Sequence, residues 1–334
     1  MTDVLPISVV IPAYNAEDFI GEAIESVHAQ TWPISEIIVV DDGSSDRTAE
    51  IAQSLGALVI RQQNRGISAA RNVGIRAATE PWIAFLDADD IWQPEKIEYQ
   101  WAAIELYPDV GLVSCDLTCF RDRSMEGNLG ADELGQTDPA EVVDKHVRNK
   151  YVPKIQANFL VNGMNYGPST MLIRRDLLLS VGLFDEHQLH NEEFECFLRV
   201  VAHCALVIVR HSFVKYRIHG RNSSNKNRLE TNLSFIKLID QLGAQPGKYP
   251  PGAAQVFEAD SRRLFLPVGR LLLDEGRMYE ARALFTRSLR LSFSWRAILF
   301  WCLTFMSPFA FERLLSIKRK LSKKKYRSSR KVLA

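Results

Sequence analysis

Hydrophobic residues fall in short β-branched blocks, separated by stretches in which they recur at helical spacing. Ile7 to Ile11 is the first block, closed by Pro12. Without polar alternation it reads as a strand buried on both faces. Asn15 then offers a helix N-cap, and Glu17 and Asp18 put acids where a helix N-terminus favours them. Phe19, Ile20, Ala23, Ile24 and Val27 follow at helical intervals. The pattern then repeats. Ile37 to Val40 is a second buried strand ending on Asp41 and Asp42, and Ser45 or Asp46 can cap a helix running to about Leu55. "ALVIRQQ" reads as a third strand, "GISAARNVGIRAAT" as a third helix and Trp82 to Leu86 as a fourth strand.

Strands alternating with helices predict an α/β fold: a mostly parallel, Rossmann-like sheet with helices on both faces. Ligands of such sheets bind beyond the carboxyl ends of the strands. Three strands end on polar groups: Tyr14 with Asn15, Asp41 with Asp42, and Asp87 with Asp89. A parallel arrangement would bring all three to one edge, which implies one site.

Further along, "EKIEYQWAAIELYP" predicts a helix and "VGLVSCDLTCF" a strand. Residues 121–150 are polar and Gly-containing, which suggests a loop or insertion with one helix near Ala140 to Arg148. "STMLIRRDLLLSVGLFDE" resumes as strand and helix, "EEFECFLRVVAH" as a helix and "ALVIVRHSFVKYRIH" as a strand pair or long strand. Beyond Arg221 only helices are expected. The chain therefore divides into residues 1–225 and a helical region at 226–334. "GRMYEARALFTRSLRLSFSW" has the look of one tetratricopeptide-type pair, but one unit is too few for an array, and an ordinary helical hairpin packed on the first domain is the simpler reading.

Composition narrows the class. Hydrophobic residues make up 46% and charged residues 24%, and the formal net charge is +1. That is ordinary for a folded globular protein and gives no general pull toward nucleic acid. The five cysteines are odd in number and form no C-x-x-C pair, so reduced thiols in a cytoplasmic setting are expected. The N-terminus lacks the basic and apolar regions of a signal peptide. Charge is uneven, however: Arg313 to Lys331 is densely basic. Before it, Ala297 to Met306 is apolar but far shorter than the roughly 20 residues of a spanning helix, and Pro308 interrupts it. Trp295, Trp301 and the basic tail suit an interfacial helix on an anionic membrane surface, and hence a protein peripherally attached to the inner face of the cell membrane.

The candidate chemistry lies in "WIAFLDADD". Two residues apart on a strand, Asp87 and Asp89 would face the same way. Ionising both at close range is costly, and a divalent cation removes that cost. Mg²⁺ or Mn²⁺ takes hard oxygen ligands, often one or two carboxylates plus substrate phosphates. A solvated acidic turn has the same composition, with Asp90 capping the next helix.

Five stretches in order, "VVIPAYNAEDFIGEAIESVHAQTW", "EIIVVDDGSSDRT", "NRGISAARNVGIRAA", "WIAFLDADD" and "GLFDEHQLHNEEFECFLRV", resemble the glycosyltransferase family 2 enzymes of GT-A fold. The resemblance runs from about Ile7 to Ser224. It implies that Pro12, Tyr14 and Asp41 or Asp42 hold a nucleotide, that Arg71 binds the donor, and that Asp87 and Asp89 are a D-x-D pair carrying metal on the donor's diphosphate. It implies an inverting transfer from a nucleotide-diphosphate sugar, UDP-linked by analogy, to a glycan or lipid-linked acceptor, as in cell-surface polysaccharide synthesis. Where the family usually carries E-D, this chain has Glu192 and Glu193, so Glu193 becomes the candidate base, with Glu192 and Glu195 as competitors. His219 matches a position that could touch metal or diphosphate, and Arg217, Arg221 and Ser223 could assist. Asn162, Gly163, Ser169 and Glu192 fall where the family contacts its acceptor. One alternative is a non-catalytic sugar-nucleotide or glycan-binding protein. Another is a nucleotidyltransferase, which would want a Gly-rich basic loop that "IPAYNAEDF" lacks.

Overall fold

The structure is a computed structural model that describes residues 4–120, 167–220, 228–245, 247–250 and 252–306. The expected helix near 140–148, the polar stretch at 121–150, and Asn162, Gly163, Arg221 and Ser223 lie outside these residues. The chain divides into two compact units, Met1–Phe257 and Glu258–Ala334.

The first unit is built on one eight-stranded sheet of order β3-β2-β1-β4-β7-β6-β8-β5. The strands are β1 (Leu5–Ala13), β2 (Ile34–Asp41), β3 (Leu58–Arg61), β4 (Trp82–Phe85), β5 (Ile91–Trp92), β6 (Val110–Phe120), β7 (Leu172–Arg174) and β8 (Ala205–Arg217). Pairs β1–β2, β1–β4, β2–β3 and β6–β8 are parallel. β7 lies antiparallel between β4 and β6, and β5 is an antiparallel edge on β8. β8 is one long strand whose register with β6 shifts around Asp116.

The unalternating hydrophobicity of β1 follows from its central place. Ile7, Val9 and Ile11 enter one core cluster, whereas Val10 enters the other. The first cluster is closed by α1 (Ile20–His28), α2 (Thr48–Ser54) and α4 (Lys96–Leu106). The second is closed by α3 (Ile67–Ala77), α5 (Arg175–Ser180), α6 (Glu192–Val201) and α7 (Arg228–Ala244). Leu238, Ile239, Leu242 and Phe257 are buried in that second cluster, which carries the first unit past residue 225.

α3 lies close on β1 because Gly74 has no side chain: a Cβ there would come 2.4 Å from Val10 Cγ1. Gly74→Ala is expected to lose about 1–3 kcal/mol through overpacking, read as a lower urea midpoint with unchanged slope.

One local expectation is corrected, and one open choice between two residues is resolved. Asn15 does not cap α1. It sits in the left-handed region at φ 49, and α1 begins at Ile20 behind Phe19. Asn15 instead joins two strand ends, its N–H donating to Ser44 Oγ at 2.9 Å and its Oδ1 accepting from the Ser45 N–H at 2.9 Å. Ahead of α2 the working acceptor is Asp46, which takes the Thr48 N–H at 3.0 Å.

The second unit contains most of α8 (Ala253–Asp274), together with α9 (Met278–Leu291) and α10 (Trp295–Leu303). Its core holds Phe265, Leu272, Ala281, Phe285 and Ala297. Ser294 caps α10 by accepting the Ala297 N–H. No helix among the described residues is long and apolar enough to cross a membrane.

Candidate functional site

The parallel strands β1, β2, β4 and β8 deliver their carboxyl ends to one edge. Tyr14 follows β1 and is 54% exposed, free to lie flat against a ligand. Pro12 is buried one residue from the carboxyl end of β1, beside Val40. Asp41 and Asp42 end β2, and both are buried. Asp42 is fully engaged: Oδ1 accepts from the Gln62 amide at 2.7 Å and the Arg65 N–H at 2.9 Å, and Oδ2 from the Gly66 N–H at 2.8 Å. It shapes the approach to α3. Asp41 Oδ1 accepts the Ser44 N–H at 2.9 Å, whereas Oδ2 accepts no hydrogen bond and has only Arg61 Nε near it at 3.0 Å.

Beyond β4 the chain turns at once, the Asp90 N–H closing on Asp87 O at 3.0 Å. Asp87, Asp89 and Asp90 consequently take three different partners rather than one common face. Asp87 Oδ1 receives Arg71 Nη2 at 2.9 Å. Asp89 Oδ2 lies 2.9 Å from His219 Nε2, whose ring stacks on Phe19 with centroids 4.6 Å apart. Asp90 is no helix cap. It is buried, accepting from Ser169 Oγ at 2.6 Å and from the Arg217 N–H at 3.2 Å. Burial, then the charges of Asp87 and Asp89, push its carboxyl well above the usual range. Burial, then Asp87, also raise Asp89, against the pull of His219.

Ser169 emerges as the pin of this turn. Its Oγ also accepts the Asp87 N–H at 3.0 Å, and its carbonyl takes Trp92 Nε1–H at 2.8 Å. It is 1% exposed, so its side chain holds the acids rather than facing an acceptor. Behind Trp92, the buried Lys96 places Nζ 3.9 Å from the indole centroid and donates to Gln100 Oε1 at 2.7 Å. Arg217 adds a bond from Nε to Asp89 O at 3.0 Å and a contact with Glu22.

Arg71 is the centre of the second half. It is 2% exposed, with Nη1 donating to Glu192 Oε1 at 3.1 Å and Nη2 to Asp87. Burial opposes its charge, but Asp87, Glu192 and Glu193 more than offset this and raise its pKa. The residues around it lock the segment ahead of α6. Asn72 exchanges two bonds with the Phe184 backbone, each 2.9 Å, and Arg65 Nη2 lies 2.6 Å from Glu186. The "NRGISAARN" and "GLFDEHQLHNEE" motifs are thus two halves of one contact.

Glu192 and Glu193 open α6. Glu193 keeps some accessible surface, but burial and the neighbouring Glu192 charge push its carboxyl up to about 8, with Arg71 pulling the other way. Glu195, by contrast, is buried and fully occupied. Arg199 binds both its oxygens at 2.9 and 3.0 Å, and the Tyr249 hydroxyl donates at 2.7 Å. Among the three acids of α6, Glu193 alone combines accessible surface with a carboxyl tuned toward neutrality.

Among the described residues no group of three or more acidic, His or Cys side chains forms a metal cage. Asp89 and His219 make a partial donor set: one carboxylate raised by burial beside one imidazole. Such a set fits a hard divalent cation that completes its shell with diphosphate and water.

Sequence reasoning misses the roles of Ser169, Trp92, Lys96 and the Arg71–Glu192 pair. The partners of Ser169, Trp92 and Arg71 lie tens of residues away, where no local spacing signals them; Lys96 meets Trp92 and Gln100, each four positions away, and only the burial of that local set was hidden.

A family model, Glycosyl transferase family 2, matches residues 8–181. The chain is 29% identical over 227 residues to the Escherichia coli UDP-Glc:alpha-D-GlcNAc-diphosphoundecaprenol beta-1,3-glucosyltransferase WfgD, covering 66% of this chain and 80% of WfgD. Its fold is similar to that of the mannosyltransferase PcManGT from Pyrobaculum calidifontis, solved in complex with GDP-Man and Mn²⁺, with TM-score 0.55, 18% identity and coverage of 95% of this chain and 85% of that one. It is also similar to S. aureus TarS 1-349 in complex with UDP-GlcNAc, with TM-score 0.53, 18% identity and coverage of 71% and 67%.

Proposed function

The chain belongs to glycosyl transferase family 2 and is a glycosyltransferase of GT-A fold, and from that premise we propose that it moves a sugar from a UDP-linked donor to a hydroxyl of a glycan or lipid-linked acceptor, with inversion. The observation that carries the reading is the edge on which Asp87, Glu192 and Glu193 gather around Arg71, with Asp89 beside Asp87 and His219.

Tyr14 packs on the base, and Asp41 Oδ2, which accepts no hydrogen bond, takes a ring N–H as Arg61 swings aside. Asp89, with His219 beside it and Asp87 nearby, would hold the Mg²⁺ or Mn²⁺ of the donor complex. That cation supplies charge stabilisation for the departing nucleotide. Glu193 accepts the proton of the attacking acceptor hydroxyl as the oxygen bonds to the anomeric carbon and the bond to the diphosphate breaks. Arg71 touches neither partner in this scheme. It is a positioning residue that fixes Asp87 and Glu192 relative to each other. WfgD, by its name, uses UDP-Glc and a diphosphoundecaprenol-linked acceptor. PcManGT is held with GDP-Man and Mn²⁺ and TarS with UDP-GlcNAc. These support a sugar-nucleotide donor, a divalent cation and a role in surface polysaccharide synthesis. A lipid-linked acceptor would put the protein at the inner face of the cell membrane.

Titration calorimetry of UDP, GDP and dTDP, with Mn²⁺ and then with EDTA, tests the reading. UDP is expected to bind with Mn²⁺ and to lose roughly 100-fold in affinity in EDTA or in Asp89→Asn. Binding of GDP alone would replace the donor assignment. A folded protein that binds no nucleotide would remove the donor site from this edge.

A further inference from the structure

The second unit carries a surface that the transfer reaction does not use. α10 buries Ala297 on its inner side, while Trp295, Leu299 and Cys302 recur along an outer apolar stripe with the exposed Arg296 at its flank. Trp295 is 75% and Leu299 59% exposed. Phe293, 70% exposed, meets Trp295 edge-on with ring centroids 5.0 Å apart. Surface helices ordinarily turn charge outward, and a contiguous apolar face marks a place of contact.

The surrounding charge says what the contact is. Between Glu280 and Glu312 the chain has no acid, but it has Arg282, Arg287, Arg290 and Arg296. Ten more Lys and Arg follow from Arg313 onward, again without an acid. On α9, a hollow of about 500 Å³ is lined by Tyr279, Arg282, Thr286, Arg287 and Arg290. A second copy would set one cationic face against another, and the chain's own basic C-terminal sequence would be repelled in the same way. An anionic bilayer suits both parts, phosphates for the arginines and the acyl boundary for Trp and Leu.

We propose that the outer face of α9 and α10 seats the protein on an anionic lipid bilayer, with Phe293, Trp295 and Leu299 entering the headgroup–acyl boundary and Arg290 and Arg296 resting on phosphates. α10 spans only nine residues, so it lies in the interface plane. The seat stands on its own observations and rests on the transferase reading only for its purpose, delivery to a lipid-linked acceptor.

Vesicle sedimentation of the full chain tests the seat. Vesicles of phosphatidylcholine alone are compared with vesicles holding about 30% phosphatidylglycerol, a composition that supplies the negative surface potential. Binding is expected on the anionic vesicles and not on the neutral ones. Trp295→Ser/Leu299→Ser should lower the partition coefficient at least about tenfold, and Arg290→Glu/Arg296→Glu should do the same at low salt. Both variants should keep the thermal midpoint and UDP affinity of the parent, so that loss of the seat and failure of the donor reading register in different measurements. The proposal falls if the full chain ignores anionic vesicles, or if both variants bind them as the parent does. It also falls if the parent is a dimer that Trp295→Ser/Leu299→Ser makes a monomer, which would give the face to a second copy.

Discussion

Glu193→Gln is expected to bind nucleotide as the parent does and to transfer sugar about 10³-fold more slowly, within the range for loss of a general base. The amide keeps the shape of the carboxylate but has no basic oxygen to receive the acceptor's proton. The environment of Glu193 adds a pH signature. Its carboxyl is pushed up to about 8, mainly by burial and by Glu192. The parent's kcat/KM should therefore climb tenfold per pH unit below about 8 and level off above it. Stability has the opposite sense. A carboxyl raised from 4.5 to about 8 favours the folded chain fully below the lower value, and this contribution disappears as pH rises through the upper one. Gln cannot ionise, so urea denaturation at pH 6 and pH 9 should show the variant gaining on the parent at the higher pH. A variant with more than a tenth of the parent's turnover would move the base to another residue.

Arg71→Met is expected to cost about 3–5 kcal/mol of folding stability, because it leaves two largely buried carboxylates, Asp87 and Glu192, without their shared cation. Met reproduces the stem of the arginine but ends short of the guanidinium carbon that lies 5.4 Å from the Phe184 ring centroid, so the loss combines the charge with some packing. Arg71→Lys should recover only part of it. An ammonium cannot reach both carboxylates with two planar donors, as the guanidinium does at 2.9 and 3.1 Å. Adding Glu192→Gln to Arg71→Met should return some of the stability by removing one stranded charge. Denaturant titration of the parent, Arg71→Met, Glu192→Gln and the double variant measures the coupling. An unchanged midpoint in Arg71→Met would mean that the triad does not form in solution.

The elements were legible where burial writes itself into local pattern. The runs at Ile7–Ile11, Ile37–Val40 and Trp82–Leu86 are strands because a central strand is apolar on both faces. Strand direction was less legible. "LIR" of β7 is three residues long and carries no mark of being antiparallel. Within the site, the sequence located the acids but not their division of labour. Period-two reasoning put Asp87 and Asp89 on one face, yet β4 stops at Phe85 and a turn separates them. Which acid goes to Arg71, His219 or Ser169 is decided by side chains that lie between 16 positions before and 130 positions after them. Ser169 is expected at the acceptor because the resemblance to the family places its stretch there. Ser169 itself is buried, with its hydroxyl bonded to the Asp87 N–H and to Asp90.

The strand order β3-β2-β1-β4-β7-β6-β8-β5 also has a consequence for the birth of the protein on the ribosome. β4 is made early, but its neighbour β7 is not synthesised until residues 172–174. β6 waits for the same strand and then for β8, which ends at Arg217. A nascent chain that has just released β6 therefore exposes unpaired edges on its apolar strands for nearly a hundred further residues. Such edges invite pairing with other chains. The same delay leaves the acid turn without Ser169, Arg217 and His219 until more than 200 residues have emerged. A truncated chain would hold every acid of the "WIAFLDADD" stretch and still lack the groups that aim them, so arrested synthesis yields a sticky intermediate and not a partly active enzyme.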